Sequence, residues 1–498
     1  MQRNWERSIL MGCALLVASV PAWAAEAALP VIQSRDLAGL AKAAKLEGKL
    51  RVENVHYAET GEPAAFVLER FEVFTADARI TVHGPDGEEV LPPPANAYFR
   101  GVVEGRPDDS RVFLAVLPNG KAQGVVSEWE ESYLIGEDET APKALGAPLE
   151  MHRVDTRLLK KSREAGFDCD NSLLPPGRTT LEGLEGLDLM AGEVLSPTTA
   201  ELASYTARVA IETDYEFYAK FGSTALATTY IGNLIGYAST VYSAEVNTSL
   251  AVQSVSLWST SNDPWTQSSG LCGLMEFGRY WNLNKTGVSR TIAHFMSGRP
   301  TGGGVAWLGV LCSGSFGTSA SCPGLATDAP WGGGYGFTGS MSGTFDISNP
   351  TVMWDIMAVS HEIGHNFNSP HTHCYNGIGG DANPVDQCRT GESGCFAGTQ
   401  SLPGPTGSRS GTIMSYCHLL SGGYTNVAMT FGTNHPYGVK PGRVPSRMSA
   451  HVVSKATANP SCLAPAVAPP PPPPTGNAIF SDGLEAGVVP GAWSGLGN

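Results

Sequence analysis

The sequence predicts a mixed α/β (α+β) fold, in which a domain with a twisted sheet and one long functional helix is preceded by a β-rich domain. Three observations predict it. Short runs of alternating apolar and polar residues fill the chain from residue 25 to about 200, with turn-forming residues between them. After residue 204, strand-like and helix-like runs are mixed. The helix-like run over 352–367 ends in a cluster of histidines.

The β-rich domain is predicted from the spacing of its apolar residues. The runs 79–83 and 111–116 alternate as strands with one buried face do. Each is followed by a turn signal that contains proline and glycine, at 85–87 and 118–120. We therefore expect residues 25–200 to form a domain built mainly of short strands.

The second domain, predicted over residues 204–464, contains both kinds of element. Its strand-like and helix-like segments are, in chain order, Val209–Ile211, Asp214–Phe221, Leu274–Trp281, Val305–Leu311 and Val352–Phe367. Glycine triplets at 302–304 and 332–334 predict loops around a cleft. A strand over 304–309 at the sheet edge could pair with an extended peptide. A phosphate-binding glycine loop is the rival interpretation, but the strand, loop and helix context that it needs is missing.

His361, Glu362 and His365 form the most informative pattern of the chain. On a helix, residues i and i+4 are about 40° apart around the axis, so both imidazoles project from one face, one turn apart. Glu362 lies about 60° from His365, close enough to reach a water on a shared metal ion but too far round to be a third ligand. This arrangement is typical of a metal site with a general base.

A third histidine, His371, follows shortly after His365. If the helix continued, His371 would lie about 240° round the axis, so the helix must end before it. Pro370 disfavours helical geometry at Ser369, and Asn368 tolerates the left-handed conformation that ends many helices. Three neutral imidazoles with an open fourth position are typical of catalytic zinc. The alternative interpretation is a chance cluster of surface histidines.

The histidine run, followed by a methionine turn, resembles the metzincin signature. The segment 412–416 resembles that turn, which in the family forms a hydrophobic base beneath the zinc and here contains Met414. Within the metzincins, the chain resembles the adamalysin (reprolysin, ADAM-like) branch. Three stretches carry this resemblance, namely the opening strand and helix, the substrate-binding edge strand with its cysteine, and the active-site helix, at 207–218, 304–312 and 360–367.

The resemblance implies a metzincin-like catalytic domain over residues 204–464. It implies one catalytic Zn²⁺ bound by His361, His365 and His371, with Glu362 as the general base.

The sequence departs from the family pattern at several positions. Asn368 stands where the family usually has glycine, and Thr372 where it has an aspartate that helps to anchor the helix. Adamalysins commonly have a calcium site with acidic and amide ligands. Arg208 and Pro465 stand near the positions where those ligands are expected, so calcium is not supported. Tyr416 resembles a tyrosine of the astacin and serralysin branches. It could contact the zinc or donate to the oxyanion, and a tyrosine packed beneath the site is the alternative.

Nine cysteines remain if Cys13 is removed with a signal peptide. Eight of them lie from Cys272 to Cys462, which predicts four disulfides in an exported domain and leaves their pairing open. The resemblance implies that Cys312 pairs with Cys462. Cys169 lies upstream, and in adamalysins and matrixins an unpaired propeptide thiol can occupy the fourth zinc position as a cysteine switch. An intermolecular disulfide is the alternative.

Residues 1–24 are typical of a signal peptide, because Arg3 and Arg7 precede an apolar run at 9–20 and a small-x-small cleavage site at 22–24. That run is too short to span a membrane, and no later stretch is long and apolar enough. We expect a secreted protein, extracellular or in transit through the periplasm. The net charge of −15 argues against nucleic acid and anionic membranes as partners.

The remaining boundaries follow from composition. Residues 25–200 are expected to be a propeptide, because 98–105 resembles a strand of the adamalysin propeptide. We place the processing junction between 175 and 204. Residues 465–476 form a proline-rich linker. Residues 477–498 resemble short C-terminal segments of exported bacterial proteins, and are expected to be a sorting or attachment tag or a disordered end.

These features together lead us to expect a secreted zinc metalloendopeptidase, made as a zymogen and acting on protein or peptide substrates. The alternative from another class is a catalytically silent binding protein with the metzincin fold. A zinc hydrolase for non-peptide bonds is a third possibility. The intact glutamate and the three histidines favour an enzyme.

Overall fold

The computed structural model describes residues 29–43, 48–136, 146–161, 168–169, 203–318, 320–343 and 345–463. The expected signal peptide, the proline-rich linker, the C-terminal tail and nearly all of the expected processing junction lie outside these residues. Within the described part of the chain, no helix is both long enough and apolar enough to cross a membrane.

The fold is mixed α/β, as the sequence predicts, and its first part consists mainly of strands. The elements up to residue 161 are β1 (Val31–Gln33), α1 (Leu37–Ala43), β2 (Lys49–Tyr57), β3 (Pro63–Phe71), β4 (Phe74–Gly84), β5 (Gly87–Leu91), β6 (Ala97–Val103), β7 (Ser110–Val116), β8 (Ala122–Glu128), β9 (Ser132–Ile135), β10 (Glu150–Arg153) and α2 (Thr156–Lys161).

The second part contains both helices and strands. Its elements are β11 (Asp168–Cys169), β12 (Tyr205–Thr213), α3 (Tyr215–Ala219), α4 (Thr224–Val246), β13 (Thr248–Trp258), α5 (Gly270–Asn284), β14 (Ile292–Met296), β15 (Gly303–Ala306), β16 (Tyr335–Thr338), α6 (Val352–Asn366) and α7 (Arg443–Ala458). Strand β12 and helices α3, α5 and α6 cover the segments predicted at 209–211, 214–221, 274–281 and 352–367, with shifted ends.

Strands of the first part close into a barrel. The order β2-β10-β9-β8-β7-β6-β3 returns to its start because β3 also pairs with β2. Along β7, Val112 and Leu114 point into the barrel core, whereas Phe113 and Ala115 point outward into the core of the second part. Successive side chains of a strand face opposite sides, so both faces of this strand are buried.

The second sheet contains strands from both parts of the chain. Its order is β11-β15-β16-β14-β12-β13-β4-β5. Strand β4 pairs in parallel with β13, with Ile80 opposite Val255 and His83 opposite Trp258. The β-rich first part therefore extends the sheet that carries the second part's helices.

Helix α4 lies between the barrel and the second sheet, and the sequence analysis did not predict it. The helix is 23 residues long and most of its side chains are buried. It contacts β13 and α6 on one side and the barrel strands β6, β7 and β8 on the other. Because it is buried nearly all round, its sequence lacks the one-sided apolar period by which surface helices are recognised.

The strand predicted over 305–311 is wrong beyond Ala306. There the chain leaves the sheet and turns, with a positive φ of 65° at Gly309. The Gly309 N–H donates to the carbonyl of His365 at 2.9 Å, so the turn closes over the end of α6. Gly303 and Gly304 lie in strand β15, which confirms the start of the strand predicted over 304–309 and contradicts the loop predicted over 302–304 at these two glycines.

Four disulfides form, as expected from the eight downstream cysteines. They are Cys272–Cys322, Cys312–Cys462, Cys374–Cys395 and Cys388–Cys417. The expected pairing of Cys312 with Cys462 is confirmed, and it ties the segment after β15 to the chain beyond α7. The last two bridges hold the long loops that follow α6.

Candidate active site

Helix α6 carries His361, Glu362 and His365 into the interior, where each side chain is at most 1% exposed. The Nε2 atoms of the two histidines lie 3.1 Å apart, on one face of the helix. Gly364 lies between them in sequence, and a Cβ atom there would lie 2.5 Å from Sδ of Met414. Glycine therefore lets the methionine pack directly against the helix beside the histidines.

The helix ends where the sequence predicts. Asn368 adopts the left-handed conformation, with φ of 77°, and the Ser369 N–H returns to the carbonyl of Gly364 at 3.1 Å. Arg447 of α7 donates from Nε to the Asn368 carbonyl at 2.6 Å and from Nη2 to its Oδ1 at 3.2 Å. An asparagine can thus serve in the place of glycine, because its side chain gains a partner. The turn brings His371 back towards the helix.

The three histidines meet in one cluster, with candidate ligand atoms within 4.8 Å of one another. In each ring, Nδ1 faces an oxygen: the carbonyl of Ile413 at 2.7 Å for His361, the carbonyl of Ser369 at 2.7 Å for His365, and the carboxylate of Glu392 at 2.9 Å for His371. A carbonyl or carboxylate oxygen accepts, so Nδ1 carries the proton. Each Nε2 is then left with the lone pair that a metal needs.

The surroundings of His361 and His365 favour their neutral rings, which are the forms that bind metals. Burial lowers the pKa of both His361 and His365 well below the ordinary value, and the neighbouring histidines lower it further. Among the described residues, the buried Nε2 of His371 has no hydrogen-bond partner. Three converging imidazole Nε2 atoms, one of them buried without a partner, fit a Zn²⁺ ion.

Glu392 is a site residue that the sequence analysis missed. Its Oε2 lies 2.9 Å from Nδ1 of His371 and 3.0 Å from Nε2 of His373. Burial opposes its ionisation, but the charges and hydrogen bonds of the two histidines outweigh that effect and hold the pKa of the carboxyl well below its usual range. No spacing rule points to it, because it reaches the site through a loop that the Cys374–Cys395 disulfide holds.

Glu362 lies against the edge strand β15. A Cβ atom at Gly304 would overlap with the Glu362 carboxyl group, so only glycine leaves room for it. The main chain of β15 therefore passes directly beside the candidate general base. An extended peptide paired along this strand would have its backbone next to Glu362.

The methionine turn lies beneath the cluster. Met414 is fully buried, and its carbonyl accepts from both the N–H and the hydroxyl of Thr372, at 3.1 and 3.2 Å. Thr372, in the position of the family's aspartate, thus ties the third histidine to the turn. The Tyr416 ring lies 4.5 Å from that of His371 between ring centroids and is 2% exposed. The guanidinium of Arg389 lies over this ring, at 4.6 Å.

The backbone of Cys169 lies beside the same edge strand. Strand β11 pairs in parallel with β15, which sets Asp168 opposite Gly303 and Cys169 opposite Gly304. Cys169 is thus the strand partner of the residue that packs on Glu362.

Arg208 lies at the Cys312–Cys462 disulfide and is not part of the histidine cluster. Its Nη2 donates to the carbonyl of Ser461 at 2.7 Å and contacts that of Cys462 at 3.4 Å. A guanidinium on these carbonyls does not fit a calcium ion bound to the same oxygens, because it places a second positive charge beside the ion. Pro465 lies outside the described residues.

The fold and site define a class of protein: a mixed α/β protein with a three-histidine cluster that could hold a metal ion, a buried glutamate and an edge strand beside it. Residues 203–423 match the family model Reprolysin_5, of metallo-peptidase family M12, so this part of the chain is a reprolysin-type metallopeptidase domain. The match spans somewhat less than half of the chain.

The crystal structure of metalloproteinase-II from Bacteroides fragilis is similar at 11% sequence identity with a TM-score of 0.31, over 68% of this chain and 88% of that chain. None of the curated proteins matches the chain.

Proposed function

We propose that the protein is a secreted zinc metalloendopeptidase made as a zymogen. The observation that carries the proposal is the convergence of three Nε2 atoms, from His361, His365 and His371, beside the buried Glu362 and the edge strand β15. The metallopeptidase family of residues 203–423 supports peptide bonds as the substrate.

Each residue of the site has a role in this proposal. A zinc ion held by the three Nε2 atoms would act as a Lewis acid on the scissile carbonyl and lower the pKa of a water. Glu362 accepts a proton from the attacking water and later donates it to the leaving amine. The substrate backbone pairs with β15, which holds the scissile bond beside Glu362. Tyr416 is a candidate donor to the oxyanion.

The test of the general base is Glu362→Gln, which keeps the side chain's shape and removes its basicity. We expect the variant to bind one equivalent of zinc and to lose casein digestion by at least about 100-fold. Glu276→Gln is the matched control, because Glu276 is also buried but lies on α5. Casein digestion by Glu362→Gln at the wild-type rate would refute the assignment.

Removal of the metal separates the proposal from its alternatives. We expect a zinc chelator to abolish casein or gelatin digestion, and added zinc to restore it. A silent binding protein would bind zinc without digesting either substrate. Digestion that persists in the metal-free protein would contradict a zinc mechanism.

The zymogen proposal assigns Cys169 as the latency residue. Its support is the pairing of Cys169 with Gly304 on the strand beside Glu362, together with the use of the eight downstream cysteines in disulfides. We expect Cys169→Ala to make the uncut precursor active on a short peptide substrate. Cys169→Ser should behave in the same way, because a hydroxyl is a far weaker zinc ligand than a thiolate. A precursor that stays latent in both variants would refute the switch.

Secretion is part of the same proposal. Four disulfides indicate an oxidising compartment, because cytosolic proteins rarely keep such bridges. Mass spectrometry of the protein recovered from culture medium tests this, and an N-terminus at residue 25 is the expected result.

A further inference from the structure

We infer that residues 29–161, here called the N-terminal unit, stay bound to residues 203–463, the catalytic unit, after the chain between them is cut. The mature enzyme would then be a complex of two chains, in which the N-terminal unit is a permanent structural subunit. This inference rests on the proposed function for the existence of a processed form. The strand pairing, the packing and the buried hydrogen bonds between the two units support it.

The first junction is a continuous sheet. Strand β4 of the N-terminal unit pairs with β13 of the catalytic unit, and the Val252 N–H donates to the Val73 carbonyl at 2.7 Å. At the other end, the Ser259 N–H donates to the His83 carbonyl at 3.1 Å, and the His83 ring stacks on Trp258 at 4.1 Å between centroids. Loss of the unit would leave a long, apolar edge strand unpaired, which is a site of aggregation.

The second junction is a groove on helix α4. A Cβ atom at Gly232 would lie 2.5 Å from the Tyr98 hydroxyl, and one at Gly236 would overlap with the Phe113 ring. The two glycines therefore form a notch that the outward-facing aromatic residues of the barrel fill. Phe113 is fully buried, so loss of the catalytic unit would expose part of its ring to water.

Buried polar groups also join the units. Arg100 of the barrel, 7% exposed, donates from Nη1 to Ser249 Oγ at 3.0 Å and to Ser243 of α4. The Tyr237 hydroxyl of α4 donates to Ser127 Oγ of the barrel at 2.8 Å. Each of these buried polar groups needs a hydrogen-bond partner, so their positions specify one arrangement of the N-terminal unit on the catalytic unit.

The barrel also has an interior of its own. Val52, Phe66, Leu68, Phe99 and Leu114 pack inside it and are fully buried. The N-terminal unit can thus keep its fold without a covalent link to the catalytic unit.

Strand β11, by contrast, joins the edge of β15 by the pairing of two residues, Asp168 and Cys169. These residues follow the N-terminal unit in sequence. The edge strand can therefore be cleared for substrate while the N-terminal unit stays in place.

The test uses the full chain with Glu362→Gln and a recognition site for a sequence-specific protease inserted after Gly186. The added protease makes the cut, so the result does not depend on the protein's own activity. Failure of the proposed function would appear separately, in casein digestion by the wild-type chain. After complete cleavage, we expect both fragments to co-elute in size-exclusion chromatography at 1 μM protein, an order-of-magnitude choice for tight interfaces, and to separate in denaturant. A catalytic fragment that elutes alone, with the circular dichroism and unfolding midpoint of the uncut chain, would overturn the inference.

A second variant tests the groove. Gly236→Leu places a side chain where the Phe113 ring lies, while leucine is a better helix former than glycine. We expect the cut complex of this variant to dissociate at least about 10-fold more readily than the cut parent. Gly287→Leu is the control, because a Cβ atom at Gly287 meets no atom within 4 Å. Equal dissociation of the two variants would count against the groove. If Gly236→Leu does not fold, a urea titration of the cut parent decides the question, since the inference requires release and unfolding of the fragments to coincide.

Discussion

Glu392 offers the sharpest test of how the proposed metal site is built. Its carboxylate accepts from Nδ1 of His371 at 2.9 Å and lies 3.0 Å from Nε2 of His373, with about a fifth of the side chain exposed. Removal of this acceptor frees the His371 ring to rotate and to change tautomer. Loss of such an outer partner typically weakens metal binding about 10- to 100-fold, or about 1.4 to 2.7 kcal/mol.

We therefore expect Glu392→Ala to weaken zinc binding by about 10- to 100-fold, which is the usual effect of removing a group that hydrogen-bonds to a metal-binding histidine. Glu392→Gln should lose less, because its amide oxygen still accepts from one imidazole N–H. Competition against a chromophoric chelator measures the affinity of the metal-free protein for zinc. Asp381→Asn is the control, since Asp381 lies in the same loop region but pairs with Lys440.

The result that would refute this reasoning is a Glu392→Ala variant that binds zinc within a factor of about two of the wild type. A second readout separates orientation from folding. If the carboxylate only orients His371, the unfolding midpoint of the metal-free variant should match that of the metal-free parent. A large drop in that midpoint would show that Glu392 holds the loop and not the histidine.

Three further predictions concern Gly304, the Cys312–Cys462 disulfide and Glu212. Gly304→Ala pushes a methyl group against the Glu362 carboxyl, so we expect kcat to fall at least about 10-fold with unchanged zinc content, and an unchanged kcat would contradict this contact. Replacement of Cys312 and Cys462 by serine removes a bridge between residues 150 apart, which should lower the free energy of unfolding by about 4 to 5 kcal/mol in urea titrations. Burial raises the pKa of Glu212 from 4.5 to about 7, so the folded state binds the extra proton and the stability from this group falls as pH rises through that range. Relative to Glu212→Gln, the wild type should lose about 3 kcal/mol of stability between those pH values, and parallel pH curves would refute this prediction.

The parts of the site that sequence could predict are those set by local geometry. His361, Glu362 and His365 lie within two turns of one helix, so their relative directions follow from helical geometry alone. The end of that helix was also predictable, because Asn368 and Pro370 restrict their own backbone, and Asn368 has the expected positive φ. The zinc-binding role of these residues remains a prediction that the experiments above test.

Other features depend on contacts between residues far apart in sequence, and local patterns do not encode them. Glu392 contacts His371 from a loop that the Cys374–Cys395 disulfide closes, and helix geometry gives no sign of this contact. The sequence predicted both a loop over 302–304 and a strand from residue 304, and the place of Gly304 in β15 depends on pairing with β16, which follows about thirty residues later in the chain.

The sequence by itself determined the mixed α/β class, the β-rich first part, the helix with its histidines and glutamate, and the number of disulfides. Each of these follows from short-range periodicity, from helix geometry or from counting cysteines. Only the tertiary structure decided that β4 completes the sheet of the metallopeptidase domain and that α4 lies buried between sheet and barrel. The physical reason is that a strand with two buried faces, or a helix buried all round, carries no pattern that says which partner covers it.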